Sequence, residues 1–365
     1  MINNKEDTYK IFKVGSASIE KSQAGQVFLP KGVFPTVCAC THGYAIGYIF
    51  TKKENGKGKE EKILINSRKD DILMQKVKLS ANILFSGIGC QERGLENTGL
   101  FDLDVKVTSD INKEAILSYA AIHNGLTPQL VKEYNEYPSI DEMIQELKDK
   151  NIGYTPEKDK PYNWDKHKKN GQDVIKKYWL AMKLSNNLGD ISRIKELPYA
   201  DLWTISFPCQ SISCAGKMKG FKPDSGTRSS LLWENIRLLK LAVDNNEAPK
   251  YLMFENVKNL VSKKFIDDFN SLLDVLSDLG YNCYWKVLNA KECGVPQNRE
   301  RVFVIGIRKD IDTGKFTFPT PFDNGIRLKD VLEPHVDEKY YLTNEKANDL
   351  VQKLVRDNIL PEPNN

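Results

Sequence analysis

Short apolar runs alternate with amphipathic stretches along most of the chain from about Val77 onward. Short apolar runs are typical of buried strands, and apolar positions at helical spacing are typical of helices. The pattern predicts strands at 83–85, 104–108, 202–207, 251–254, 284–288 and 301–307, and helices at 92–97, 113–123, 140–150, 174–186, 230–245 and 264–279. This alternation indicates an α/β fold with a doubly wound, mostly parallel sheet.

Three stretches depart from this alternation. Residues 1–77 begin polar and then give short β-like pieces between Gly and Pro, residues 126–188 form a polar insertion with helical stretches, and the tail after Asp310 is polar. The lysine-rich stretches at 52–62 and 166–177 are interpreted as solvated surface.

Composition narrows the class of protein. The chain has 365 residues, 40% of them hydrophobic and 28% charged, with a net charge of +4 and seven cysteines. These values are typical of globular proteins, and the charge neither requires nor excludes a nucleic-acid partner. We find no apolar run that predicts a bilayer span or a signal peptide, so the expected location is the cytoplasm, with mostly reduced cysteines.

A lone cysteine follows the predicted strand at 202–207, in the turn Pro208-Cys209-Gln210. Ligands of open α/β sheets bind at the carboxyl ends of the strands. This position favours a nucleophile over a packing residue at Cys209. The glycine-rich polar segment that follows, up to Arg228, is expected to be a loop that can move.

The segment Phe85-Ser-Gly-Ile-Gly89 lies between a predicted strand and a predicted helix. Its glycines allow close approach of the backbone to a ligand, but the third glycine of a dinucleotide motif is absent, so a plain turn is an equal alternative. Asp110, about 20 residues further at the end of the next strand, favours a ribose-binding site. Asp190 is expected to end a further short strand and to contact an adenine amino group.

The absence of a phosphate-binding loop suits a nucleoside cofactor without phosphates, and S-adenosylmethionine fits this description. Phe85 is expected to stack on the purine. The candidate cofactor-binding residues are Phe85, Gly87, Gly89, Asp110, Ile111, Asp190, Ile191 and Pro208.

Two further motifs lie beside predicted strands. Glu255-Asn-Val257 follows the strand at 251–254, and Gln297-Asn-Arg-Glu-Arg301 leads into the strand at 301–307. A carboxylate just past an apolar strand is costly to bury without a role, although a helix cap or an ion pair with Arg is the alternative.

Together these motifs resemble the bacterial cytosine-C5 DNA methyltransferases. The matching segments occur in the family's order over about residues 80–310: FSGIG (85–89), Asp110, GDI (189–191), FPCQ (207–210), GTR (226–228), ENV (255–257) and QNRER (297–301). The insertion and the segment at 225–234 are most similar to the CpG-specific subgroup. The resemblance implies a Rossmann-like methyltransferase fold, S-adenosylmethionine as methyl donor and duplex DNA as partner.

The resemblance also assigns the catalytic roles. Cys209 would add to C6 of a flipped-out cytosine, and Glu255 would bind N3 and the exocyclic amine. Arg299 and Arg301 would bind O2 and a nearby phosphate and hold Glu255. The loop from Ser211 to Arg228 would close over the base, with its lysines near DNA phosphates.

The chain departs from the family's pattern near its ends. We find no Gly-Asn-Ser tripeptide, which opens the family's last segment, while residues 25–36 resemble a late part of its recognition region and residues 328–333 resemble the beginning of that region. We therefore expect a circularly permuted order, with a catalytic domain at 78–310 and a small recognition domain formed by residues 1–77 and 311–365. Because the closing segments are missing, a second methyltransferase subunit that supplies them is a possible partner.

Two alternatives to an active DNA methyltransferase of a restriction–modification system stay open. One is a DNA-binding subunit that needs a partner chain, and the other is a tRNA cytosine methyltransferase. No metal site is expected, because Cys38-Ala-Cys-Thr-His42 lacks a second ligand pair at the usual spacing.

Overall fold

The computed structural model describes residues 9–12, 49–52, 76–155, 160–213, 220–222, 226–337 and 343–357. The strands are β1 (Tyr9–Phe12), β2 (Ile49–Lys52), β3 (Val77–Leu84), β4 (Phe101–Ser109), β5 (Leu202–Ile205), β6 (Tyr251–Val257), β7 (Tyr281–Asn289) and β8 (Glu300–Arg308). The α-helices are α1 (Cys90–Asn97), α2 (Lys113–His123), α3 (Pro128–Glu133), α4 (Ile140–Asp149), α5 (Gln172–Leu184), α6 (Leu232–Asp244), α7 (Ile266–Asp278) and α8 (Asn344–Arg356).

The main sheet has the strand order β4-β3-β5-β6-β8-β7 among the described residues, and β1 pairs with β2 separately. Strands β4, β3, β5 and β6 are parallel, whereas β8 is antiparallel to both β6 and β7. Along the chain, β3 is the first strand of the main sheet, and β4 pairs with one edge of it. The chain then crosses to the other edge of β3, where β5 begins the remaining part of the sheet. The prediction of a doubly wound, mostly parallel sheet is confirmed.

Alternate residues of the central strands enter different cores. Leu84, Ile205 and Phe254 belong to a core that includes α6 and α7, whereas Ile83 and Met253 belong to another that contacts α1. Because successive side chains of a strand point to opposite faces, this division means that both faces of the sheet are covered. A third core joins α2, α4 and α5, so the insertion packs against α2.

Local sequence signals define several helix starts. The Asn112 side chain accepts hydrogen bonds from the first turn of α2, and Ser139 and Glu142 form a capping box at α4. These are the residue types that satisfy the free backbone N–H groups of a first helical turn. The predicted helix at 113–123 has the observed bounds of α2.

Two local predictions are wrong, and one helix was not anticipated. Glu255-Asn-Val257 lies inside β6 and not beyond its end, because β8 pairs with β6 along these residues. Asp190 does not end a regular strand; the segment before it makes an isolated bridge between Thr108 and Asn187, and Asp190 begins a short 3-10 turn. The helix α3 was not predicted.

The chain forms two compact units, Met1–Ile326 and Arg327–Asn365. In the first unit, residues that follow β8 are hydrogen-bonded to the segment between β7 and β8. Phe322 N–H donates to Glu292 O over 2.8 Å, and the Asn324 amide donates to Gly294 O over 2.9 Å. The second unit contains α8. The predicted recognition domain and the permuted order stay predictions, since residues 25–36 lie outside the described residues. The helices of the described ranges lack the combination of length and apolarity that crossing a membrane requires.

Candidate functional site

The turn after β3 has an unusual backbone. Phe85, Gly87 and Gly89 all have positive φ, at 57°, 53° and 81°. Glycine adopts this region without strain, whereas Phe85 does so at a cost that the surrounding packing must offset. Gly89 is also the N-cap of α1. The turn therefore presents its backbone at the start of a helix, as a ligand-binding turn does.

Asp110 holds this turn from the end of β4. One carboxylate oxygen accepts from Gly87 N–H over 2.9 Å, and the other accepts from Asn112 N–H over 2.7 Å. Burial raises the pKa of Asp110, and the backbone N–H donors oppose that rise. Asp110 thus joins the two turns that follow β3 and β4.

Both turns line one wall of a cavity of about 930 Å³, within the size range of small-molecule and cofactor sites. Most of the predicted cofactor residues line this cavity: Phe85, Gly87, Asp110, Ile111, Asp190, Ile191 and Pro208. Gly89 is not part of the lining. The position of Asp190 is fixed by Asn151, whose amide donates to it over 2.7 Å, and by Ser192 N–H over 3.0 Å.

Cys209 lies in the turn after β5 and lines the same cavity. Its carbonyl oxygen accepts from Ile212 N–H and Ser213 N–H over 2.9 and 2.7 Å, which closes a tight turn. The preceding carbonyl, of Pro208, accepts from the Ser229 hydroxyl over 2.6 Å. These backbone contacts fix the turn and leave the thiol half-buried at the cavity wall.

Glu255 faces Cys209 from β6 and forms an ion pair with Arg301 from β8. The pair joins Arg301 Nε and Glu255 Oε1 over 3.1 Å, and the Glu255 side chain is only 4% exposed. Arg301 stands opposite Val257 in the ladder, so Glu255 is its diagonal neighbour on the same face. Neither Glu255 Oε1 nor Arg301 Nε has an aligned hydrogen-bond partner among the described residues. Both atoms thus have capacity for a ligand.

The charges of this group depend on one another. Burial raises the pKa of Glu255, and the guanidinium groups of Arg301 and Arg299 oppose the rise. Burial and the carboxylate of Glu255 raise the pKa of the Cys209 thiol, while Arg301 and Arg299 lower it. A half-buried thiol, a buried carboxyl with a raised pKa and two guanidinium groups therefore form one coupled cluster.

Residues 161–358, more than half of the chain, match the family model of C-5 cytosine-specific DNA methylases. The chain belongs to this family. As a member it is a DNA (cytosine-5-)-methyltransferase, the enzyme class that the motifs predict.

Curated relatives of this methylase include the Type II methyltransferase M2.ScrFI of Lactococcus lactis subsp. cremoris, which is 42% identical over 267 residues that make up 73% of this chain and 70% of the relative. The orphan methyltransferase M.SssI of Spiroplasma monobiae is 36% identical over 274 residues, 73% of this chain and 68% of the relative. The orphan methyltransferase M.SPRI of Bacillus phage SPR is 31% identical, and the match covers 55% of that protein.

Solved structures similar to this methylase include the Entamoeba histolytica methyltransferase EhMeth, with a TM-score of 0.45 and 17% identity over 76% of this chain and 66% of that one. Dnmt2 methyltransferase of S. pombe has a TM-score of 0.42 and 18% identity over the same shares. The chain thus spans about two thirds of the length of these two proteins.

Sequence reasoning missed several residues of the methylase cavity. Gly153, Tyr154, Thr155 and Tyr162, all from the insertion, also line it. Gly153 N–H donates to Ile111 O over 2.7 Å, which ties the insertion to the turn after β4. The Gln91 amide was also missed. It donates to the Ser206 hydroxyl over 2.6 Å, and both residues line the cavity. No local pattern marks these residues, because long-range packing brings them to the cavity.

The predicted closing loop is described in part. Residues 214–219, with Lys217 and Lys219, and residues 223–225 lie outside the described residues. Phe221, in the middle of the loop, is fully buried in the main core, and its carbonyl accepts from the Trp233 indole over 2.6 Å. Lys222 Nζ lies 3.6 Å from Asp268 Oδ1. Arg228 contacts the Gln210 side chain beside Cys209.

The expectation that the chain has no metal site stays a prediction. Within the described ranges no group of three or more His, Cys, Asp or Glu side chains is arranged to hold a metal ion. The segment Cys38–His42 lies outside the described residues.

Proposed function

We propose that this methylase transfers a methyl group from S-adenosylmethionine to C5 of a cytosine flipped out of duplex DNA, within a restriction–modification system. The observation that carries the proposal is the shared cavity. Asp110 and the turn at Phe85–Gly87 line one part of it, and Cys209 and Glu255 line another. A cofactor bound at the turn and a base bound at the thiol would therefore meet in the same space.

The residues of the cofactor half fit a nucleoside with a sulfonium group. Asp110 is a carboxylate held by two backbone N–H groups, and it is suited to accept from ribose hydroxyls. Ser86 Oγ lines the cavity and is a buried hydroxyl without a hydrogen-bond partner among the described residues. Ile111 and Ile191 supply apolar contacts beside it. S-adenosylmethionine bound there supplies an electrophilic methyl group.

The catalytic half supplies a nucleophile and an acid. The Cys209 thiolate would attack C6, which breaks the C5–C6 double bond and moves its electron pair through the ring toward N3. Glu255, whose pKa burial raises, would hydrogen-bond N3 and supply a proton there as the negative charge develops, and so neutralise that charge. C5 would thereby become nucleophilic and attack the methyl group, whose bond to the sulfonium sulfur breaks and leaves S-adenosylhomocysteine. Loss of the C5 proton to a base and return of the N3 proton to Glu255 would then allow elimination, which restores the C5–C6 double bond and frees Cys209.

Arg301 and Arg299 would act through their positive charges. Arg301 contacts Glu255 and holds it toward the cavity, and it is suited to bind the ring's O2. Arg299 lies near enough to lower the pKa values of both Cys209 and Glu255. The attack on C6 approaches the face of the ring, which is covered in a stacked duplex, so the target base must be extruded.

The test is transfer of labelled methyl groups to duplex DNA by the purified chain and by its Cys209→Ser variant. We expect transfer by the wild type and none by the variant, with binding of S-adenosylhomocysteine retained in both. Undiminished transfer by the variant would rule out the mechanism. Transfer only after a second chain is added would favour the two-subunit alternative, and transfer to tRNA but not to DNA would favour the RNA alternative.

The target sequence needs a separate measurement. Bisulfite sequencing of DNA from cells that express the protein reports each methylated cytosine in its sequence context. A single recurrent context would support a role beside a restriction enzyme of the same specificity.

A further inference from the structure

A buried polar cluster packs against the cofactor turn, and its residues are not part of the cavity lining. It consists of Glu92 from α1 and of Tyr119 and His123 from α2. Glu92 is 1% exposed, and its Oε1 accepts a hydrogen bond from the Tyr119 hydroxyl. The rings of Tyr119 and His123 pack with their centroids 4.6 Å apart. None of these three residues belongs to the proposed catalytic group.

The cluster touches the turn at Ile88 and Gly89. His123 Nε2 lies 3.2 Å from the Ile88 carbonyl oxygen. A Cβ atom added to Gly89 would lie 2.1 Å from His123 Nε2 and 2.7 Å from Glu92 Oε2. The backbone of Gly89 therefore rests directly on both side chains. Gly87, Ile88 and Cys90 line the cavity, so a displacement of the cluster that moves Ile88 and Gly89 would also move the cavity wall.

The cluster is neutral near pH 7. Burial lowers the pKa of His123 to about 4, and the neutral ring can donate from Nε2 to Ile88 O. Burial raises the pKa of Glu92 to about 8, while the Tyr119 hydrogen bond opposes the rise. The other charged groups that act on Glu92 are Glu96, which raises its pKa, and Arg93, which lowers it; these two form their own ion pair at 2.7 Å.

The free oxygen of Glu92 makes the protonation state matter. Glu92 Oε2 is buried and has no hydrogen-bond partner among the described residues. A protonated carboxyl tolerates this position, whereas an ionised one would leave a buried charge with one hydrogen bond. Because Oε2 rests against Gly89, hydration of that charge requires movement of the turn.

We propose that Glu92, Tyr119 and His123 are positioning residues that hold Ile88 and Gly89 in the cofactor-binding conformation, and that they do so only while Glu92 carries its proton. The inference rests on the proposed binding of an adenosine-containing cofactor at this turn. It adds a loss of cofactor affinity at alkaline pH that originates outside the catalytic group.

The first experiment measures the affinity for 5′-methylthioadenosine between pH 6.5 and 9.5 by calorimetry, since this probe lacks the titrating amino acid group of the cofactor. We expect the wild-type affinity to fall above about pH 8, by up to about tenfold per pH unit. Glu92→Gln keeps the shape of the side chain without its charge, and its affinity should stay flat. Glu96→Gln removes a carboxylate that raises the pKa of Glu92, so its affinity should still fall, but at lower pH than in the wild type.

Two further variants separate positioning from bulk structure. Tyr119→Phe removes the hydrogen bond that lowers the pKa of Glu92, so the fall in affinity should move to higher pH. His123→Phe keeps a ring against Gly89 but removes the donor to Ile88, and we expect about a fivefold loss of affinity at every pH, the size expected for one hydrogen bond. A fall that stays at the wild-type pH in Tyr119→Phe would contradict the proposal.

Hydrogen exchange gives a readout that needs no ligand. The protection factors of the amides at 86–93, corrected for intrinsic exchange, should fall above pH 8 in the wild type and stay constant in Glu92→Gln. If they do so while 5′-methylthioadenosine fails to bind the wild type, the cluster stands and the cofactor assignment is wrong. Protection that is independent of pH in the wild type, or that falls equally in Glu92→Gln, would overturn the proposal.

Discussion

The two halves of the cavity are held in different ways. On the cofactor side, Asp110 is fixed by backbone N–H groups of Gly87 and Asn112. On the catalytic side, Cys209, Glu255 and Arg301 are linked mainly by their charges, with Arg301 Nε 3.1 Å from Glu255 Oε1. The backbone donors that hold Asp110 do not titrate, whereas the Cys209 thiol and the Glu255 carboxyl do. A change to one catalytic residue should therefore alter the others, and a change on the cofactor side should stay local.

Among the variants that test this contrast, Glu255→Gln should have the largest effect on activity. The variant cannot protonate N3, and we expect methyl transfer to fall by about 10²- to 10⁴-fold. Because the Glu255 charge raises the pKa of Cys209, the thiol should also react faster with iodoacetamide at pH 8. The matched control is Glu300→Gln, which removes an exposed partner of Lys258 and should leave both rates unchanged. A Cys209 rate unaffected by Glu255→Gln would mean that the two side chains are not coupled.

Asp110→Asn should have the next largest effect, confined to the cofactor side. The amide replaces one acceptor oxygen by a donor that faces a backbone N–H, so we expect at least a tenfold loss of affinity for S-adenosylhomocysteine by calorimetry. The alkylation rate of Cys209 should not change. Asp104→Asn, an exposed residue of the same strand paired with Lys106, is the control. If Asp110→Asn changed the alkylation rate of Cys209 but kept its affinity for S-adenosylhomocysteine, the effects of changes on the cofactor side would not be local.

Gly89→Ala tests the packing behind the cofactor turn. Gly125 has a similarly positive φ of 69° but nothing within 4 Å of an added Cβ, whereas the added Cβ of Gly89 meets His123 and Glu92. Gly125→Ala should cost about 1–2 kcal/mol from the backbone alone, and Gly89→Ala about 1–3 kcal/mol more from overpacking. Urea denaturation measures the free energy of unfolding of both variants. Equal losses would mean that the turn at Gly89 accommodates the added methyl group without strain.

The smallest predicted effect is on the pH dependence of Cys209 in the wild type. Because its thiol pKa is raised, the thiolate is a minor species at neutral pH and its fraction grows as pH rises. Alkylation should rise through a midpoint above about 8.5, the ordinary value for cysteine, and at pH 8 it should be a few-fold slower than in the urea-unfolded chain. Peptide mass spectrometry distinguishes Cys209 from the other cysteines. A midpoint below 8 would show that the arginines outweigh burial.

The sequence by itself determined the fold class and indicated the residues of the proposed site. The alternation of apolar runs and helical patterns predicted the sheet, because burial on both faces leaves a local signature in each strand. The motifs around Cys209, Glu255 and Asp110 pointed to the candidate residues, since few residue types can perform the proposed roles.

The tertiary structure decided how these residues meet. Arg301 reaches Glu255 because β8 runs antiparallel to β6 and stands in one particular register, and no local pattern sets either property. The insertion contributes Tyr154 and Tyr162 to the cavity, and His123 supports Gly89, through contacts between segments far apart in the chain. Residue type is a local property, whereas the distance, burial and charge of a neighbour depend on packing across the whole sheet.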